Sequence, residues 1–114
     1  MLNKINKEQL IDGVREKDVF NMNTWSCCIA GVAVELAGYE IPNYYSPECV
    51  DDNGNWDTIR DVARKLVSAN HRLFSVSTWG YLEESYDIAI QCGNEDVKDV
   101  VIRAIELFWE DENA

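Results

Sequence analysis

The sequence predicts an all-α fold: a compact bundle of about five helices around a buried central helix over residues 26–37, with 1–114 forming a single domain. Three observations predict it. Five segments repeat apolar residues at helical spacing, each beside a residue suited to cap it. The run Cys27-Cys28-Ile29-Ala30-Gly31-Val32-Ala33-Val34 is apolar nearly all round, as a buried helix is. No segment alternates apolar and polar residues convincingly, as a half-buried strand would. The 114 residues, 46% apolar and 27% charged, are enough for one hydrophobic core and argue against disorder.

The first helix starts at Asn6, whose side chain can cap it, with Gln9 in the reciprocal capping-box position. Ile5 and Leu10 occupy the two positions of a hydrophobic staple, and Leu10, Ile11 and Val14 form one apolar face. The second helix is expected to begin near Thr24 or Ser26, both good N-caps, and to end at Gly38. Ala30, Gly31, Ala33 and Ala37 are small, and are expected to admit neighbouring helices at close range.

Residues 39–56 read as one long irregular stretch. It holds Pro42, Pro47, the turn-rich Asp51-Asp52-Asn53-Gly54-Asn55, and the aromatics Tyr39, Tyr44, Tyr45 and Trp56. Asp57 or Thr58 caps a third helix, with Ile59, Val62, Ala63, Leu66 and Val67 on one face. A fourth follows Ser77-Thr78, with Trp79, Leu82, Tyr86 and Ala89 inward, Glu83, Glu84 and Asp87 outward, and Gly93 at its end. Asn94 caps a fifth, which carries Val97, Val100, Val101, Ala104, Ile105 and Phe108.

Charge is the most uneven property. Ten basic and 21 acidic residues give a net −11. Residues 83–114 hold ten of the carboxylates against Lys98 and Arg103, whereas residues 57–76 carry a small positive excess from Arg60, Arg64, Lys65 and Arg72. An acidic pole and a mildly basic patch are therefore expected. Such a chain repels phosphate, which disfavours direct nucleic-acid binding and anionic membranes. No stretch is long and apolar enough for a span or a signal peptide, so a cytosolic location is expected, with Cys27, Cys28, Cys49 and Cys92 reduced.

Phe20-Asn21-Met22-Asn23-Thr24-Trp25, followed by Cys28-Ile29-Ala30-Gly31-Val32-Ala33, resembles the signature of an uncharacterised family of small bacteriophage and bacterial proteins. That signature is Phe-x-Met-x-x-Trp and then a Cys-Ile-Ala-Gly-His-Ala-like helix. Leu73-Phe74 and Trp79 fit its later anchors, so the pattern covers roughly residues 8–108. The chain departs from it in two ways. A Cys-Gly-Thr stretch common before the second motif is missing, and Val32 stands where relatives have His. The resemblance implies a phage or mobile-element origin and no particular mechanism.

Catalytic constellations are sparse. Cys27 and Cys28 lie where a helix N-terminus can lower a thiol pKa, but the only histidine, His71, has no sequence tie to them, and buried structural thiols are common. A tetrahedral metal site from cysteines and His71 is disfavoured by the vicinal pair. Asp51, Asn53, Asn55 and Asp57 alternate like calcium ligands, yet Gly54 comes too early and Val62 replaces the closing Glu, so a turn and a helix cap explain them.

The leading expectation is thus a non-enzymatic accessory protein without cofactor or metal. It binds and modulates or inhibits a basic host or defence protein, in the manner of anti-CRISPR or anti-restriction inhibitors, through an acidic surface of Glu83, Glu84, Asp87, Asp99, Glu106 and Glu110. The alternative is a small-molecule or nucleotide binder, sponge-like, using Tyr44, Tyr45, Trp56, Arg60, Arg64 and Arg72 as an anion-binding pocket.

Overall fold

The computed structural model describes residues 4–67, 73, 76–93 and 97–109. The chain divides into two compact units, Met1–Ser68 and Ala69–Ala114. It is broadly helical, with five helices and one two-stranded sheet among the described residues.

In the first unit, α1 (Lys7–Glu16) opens on the expected capping box. The Gln9 amide donates to Asn6 Oδ1 at 2.8 Å, and the Asn6 amide donates to Gln9 Oε1 at 2.9 Å. Two of the donors that a helix N-terminus leaves without partners are thereby satisfied. Leu10, Ile11 and Val14 are buried as the periodicity requires. Lys17 closes the helix, its amide donating back to the Gly13 and Val14 carbonyls.

α2 (Ile29–Leu36) is shorter than expected at its start. Neither Thr24 nor Ser26 caps it; the cap position belongs to Cys28, with no side-chain hydrogen bond. Residues 24–28 form turns instead, the Cys27 and Cys28 amides both donating to the Thr24 carbonyl. The reason lies at Gly31. A Cβ there would stand 2.4 Å from the Ser26 carbonyl oxygen and 2.5 Å from that of Trp25. Gly31 therefore seats the entering turn, not a neighbouring helix, which corrects the sequence reading. The close helix approach is made by Gly13 of α1, whose missing Cβ would meet Val32 and Leu36. All six residues from Ile29 to Val34 are buried. At the far end Gly38 takes φ 100°, Tyr39 donates to the Val34 carbonyl, and Gly38 donates to that of Glu35. This glycine-based termination satisfies two carbonyls that would otherwise lack partners.

The stretch 39–56 is not wholly irregular, and the expectation of no strand is corrected. β1 (Glu48–Val50) and β2 (Trp56–Thr58) pair antiparallel, Glu48 opposite Thr58 and Val50 opposite Trp56, and Glu40 bridges to Val50. The pairing is fixed by the turn. Asp51 Oδ1 accepts from the Asn53 and Asn55 amides, both at 2.9 Å, and the Asp51 amide donates to the Asn55 carbonyl. Strands of three residues are too short to show alternation.

α3 (Ile59–Leu66) follows at once, and of the two expected caps Thr58 is the one used, accepting from the Asp61 amide. Ile59, Val62, Ala63, Leu66 and Val67 are all buried. α3 and α1 both pack on α2, and the Ile5 amide donates to the Leu66 carbonyl at 3.0 Å.

The second unit holds α4 (Val76–Gln91) and α5 (Val97–Phe108), packed on each other. α4 begins before Ser77-Thr78, so those residues lie inside it. Leu82, Tyr86 and Ala89 are buried as expected, with Trp79 half-buried. On α5 the buried residues are Val101, Ile102, Ala104 and Ile105; Val97, Val100 and Phe108 are half-buried. The Asn94 cap, His71 and Phe74 lie outside the described residues.

Candidate functional site

The acidic residues sit where the helical periods of α4 and α5 put them. Burial of Leu82, Tyr86 and Ala89 turns Glu84 and Asp87 outward, while Glu83 stands at the margin, half-buried. Burial of Val101, Ala104 and Ile105 likewise turns Asp99 and Glu106 outward. Arg103 lies between them, four residues after Asp99 and three before Glu106, on the same helical face. Glu110 lies outside the described residues.

Between these two helices runs a groove of about 150 Å³, lined by Tyr81, Ser85, Val100, Arg103, Ala104 and Leu107. Its walls are mostly apolar, and Leu107 and Tyr81 remain 68% and 49% exposed. The Tyr81 ring meets Phe108 edge-on, with centroids 5.5 Å apart. Sequence reasoning missed this feature, although a signal existed. Tyr81-Ser85-Ile88 and Val100-Ala104-Leu107 repeat at i, i+4, i+7 on each helix, to one side of the core stripe.

The alternative pocket residues belong to the first unit, save Arg72, which lies outside the described residues. Tyr44 and Tyr45 meet edge-to-face at 5.0 Å. The Tyr44 hydroxyl accepts from Asn21 and Thr24 at 3.4 Å, and its carbonyl accepts from the Ser26 hydroxyl at 2.6 Å. Tyr44 therefore fastens the loop to the turn before α2. Tyr45 and Trp56 are exposed, Trp56 on β2. Arg60 and Arg64 stand one turn apart on α3, the first exposed and the second half-buried. A shallow depression of about 220 Å³ between α1 and α2 involves none of these residues; it is lined by Gly13, Glu16, Lys17, Val32, Glu35 and Leu36. There Lys17 donates to the Glu35 carboxylate.

The four cysteines are free thiols, with Cys92 exposed and the other three buried. Burial pushes the Cys28 thiol up to about 11, outweighing the lowering by the Gly31 and Ala30 amides at the helix start. Its sulfur donates to the Trp25 carbonyl at 3.5 Å. Such a thiol is almost wholly protonated at neutral pH and is a poor nucleophile. Cys49 is raised to about 11 as well, by burial first and then by the charges of Asp57, Asp51 and Glu48. The Asp51 carboxylate turns onto its own loop, which is the turn reading of that segment. Among the described residues no group of three or more His, Cys, Asp or Glu side chains is placed to hold a metal ion. Nor is any helix there long and apolar enough to cross a membrane.

No family model matches the chain, and no curated protein or solved structure is significantly similar to it. The phage-type resemblance therefore rests on its motifs alone.

Proposed function

We propose that this chain is a non-enzymatic, phage-type accessory protein that binds a basic protein surface through the acidic faces of α4 and α5. A host or defence protein is the expected partner, modulated or inhibited by the contact. The observation that carries this reading is the exposure of Glu84, Asp87, Asp99 and Glu106 on two adjacent helices. Their unit has three basic residues against ten acidic ones, a net −7. A field of that sign steers cationic partners and speeds their association.

The test is affinity capture from bacterial lysate, followed by association kinetics with the purified partner. Rising salt should slow association, because steering charges act mainly on the on-rate. Glu84→Lys with Asp87→Lys should lower that rate by about tenfold. Salt-independent binding that survives the double reversal defeats the reading.

The exposed aromatic rings of Tyr45 and Trp56 favour a second reading, a small-molecule or nucleotide site with Arg60 and Arg64. It expects little change from the acidic reversals and a large loss from Arg60→Ala or Arg64→Ala. Mass spectrometry of the purified chain for bound small molecules bears on it directly.

A further inference from the structure

We infer that the groove between α4 and α5 seats an amphipathic helix with basic flanks, supplied by the protein partner. This rests on the acidic-surface reading and adds an apolar anchor to it. The groove floor is Val100, Ala104 and Leu107 from α5, facing Tyr81 and Ser85 from α4. About 150 Å³ is room for a group the size of a benzene ring, hence for one large apolar side chain. Ile88, 52% exposed and one turn beyond Ser85, prolongs the apolar line along α4.

Charge complementarity selects the occupant. Glu84 stands beside the groove residues of α4, with Asp87 beyond it; on α5 Arg103 lines the groove, and Asp99 and Glu106 lie on its far side. Arg103 offsets only one of these four charges. A second copy of the chain would bring the same negative rim against this one. The chain's own last residues, Glu110-Asp111-Glu112-Asn113-Ala114, carry that sign too. Like charges so juxtaposed are unfavourable. A cationic segment is favoured, and an apolar groove between two helices suits helix-in-groove recognition, in which an amphipathic helix lays its apolar face into the groove. Nucleic acid is repelled by the net −7 of the unit.

The test uses the full chain and two synthetic peptides of about five helical turns with the same leucine and lysine content. One gathers its leucines on a single helical face; the other scatters them. The faced peptide should bind about tenfold more tightly, the discrimination that one buried leucine supplies. Leu107→Ser should erase that advantage, and so should Tyr81→Ser; the large exposure of both residues lets the variants fold. Glu84→Lys with Asp87→Lys should weaken both peptides alike. Equal binding of the two peptides, still sensitive to the charge reversal, overturns the groove and leaves the acidic surface standing. Binding indifferent to both reversal and salt overturns the acidic surface itself. Self-association of the parent that Leu107→Ser abolishes assigns the groove to a second copy and overturns the inference.

Discussion

At Gly31 the absence of one carbon decides how a helix begins. Two backbone carbonyls occupy the space of a Cβ, the nearer at 2.4 Å, and backbone cannot swing aside as a side-chain tip can. Gly31→Ala should therefore destabilise the protein by about 1–3 kcal/mol through overpacking, although alanine is the better helix former by about 1 kcal/mol. Gly80 in α4 is the control, because nothing lies within 4 Å of its missing Cβ. Gly80→Ala should stabilise by about 0.5–1 kcal/mol. Thermal melts of the two variants beside the parent read the difference, and a Gly31→Ala protein as stable as the parent would show that the 24–28 turn can move away. Three positions before Gly31, the Cys28 thiol holds its proton to about 11 in the folded chain, against an ordinary 9.0. The folded state therefore binds that proton more tightly than the unfolded state. The sign follows: the contribution to stability is intact below pH 9.0 and drains away as pH rises toward 11. Urea midpoints across that interval should fall, and fall less in Cys28→Ala. At neutral pH, brief alkylation followed by mass spectrometry should mark exposed Cys92 ahead of Cys28.

At the scale of elements, the β1–β2 ribbon hangs on one carboxylate. Asp51 receives two backbone amides across its turn, and those hydrogen bonds, led by that from Asn55, hold its pKa below the ordinary 3.8. Asp51→Ala should speed amide exchange at Asn53 and Asn55 while leaving α1 protected. Acid should have the same effect once pH falls below 3.8 toward the lowered value, because a protonated carboxyl accepts less well. Unchanged exchange at those two amides in Asp51→Ala would remove the turn from this role. Elements whose cause is local were legible in the sequence. The Asn6–Gln9 capping box, the Thr58 cap and the buried faces of α1 and α3 each arise from residues within two turns of one another. Elements with a distant cause were not. Ser26 looks like a helix cap but donates to the Tyr44 carbonyl, 18 residues away. Glu48-Cys49-Val50 has no strand period of its own and is a strand only because Trp56-Asp57-Thr58 folds back on it. The outward placing of Glu84, Asp87, Asp99 and Glu106 was readable from the helical period, whereas the groove beside them exists only once α4 and α5 pack.

Over the whole molecule the two units differ in charge as well as in architecture. Met1–Ser68 holds seven basic and eleven acidic residues, a net −4, and Ala69–Ala114 holds three and ten, a net −7 in the shorter unit. The first unit also has attractive pairs among its described residues, including Lys17 with Glu35, Lys65 with Asp57 and Arg15 with Asp12. In the second, the exposed faces of α4 and α5 present carboxylates relieved mainly by Lys98 and Arg103. Self-repulsion of this kind opposes the compact state, and salt relieves it. Raising ionic strength from 0.01 M to 0.15 M shortens the screening length from about 30 Å to about 8 Å. Repulsion is then cut most in the second unit, which carries the larger net charge on the shorter stretch of chain. Amide protection in α4 and α5 should therefore rise with salt, and protection in α1, α2 and α3 should change less. Hydrogen exchange resolved by residue reads both in one experiment. Equal gains in all five helices would mean that the field is shared by the whole chain, and a loss in α4 and α5 would mean that local ion pairs outweigh repulsion there. The predicted asymmetry bears on binding as well. A cationic partner would relieve the same repulsion that salt relieves, so it should protect the amides of α4 and α5 most at low salt, where its association is also fastest.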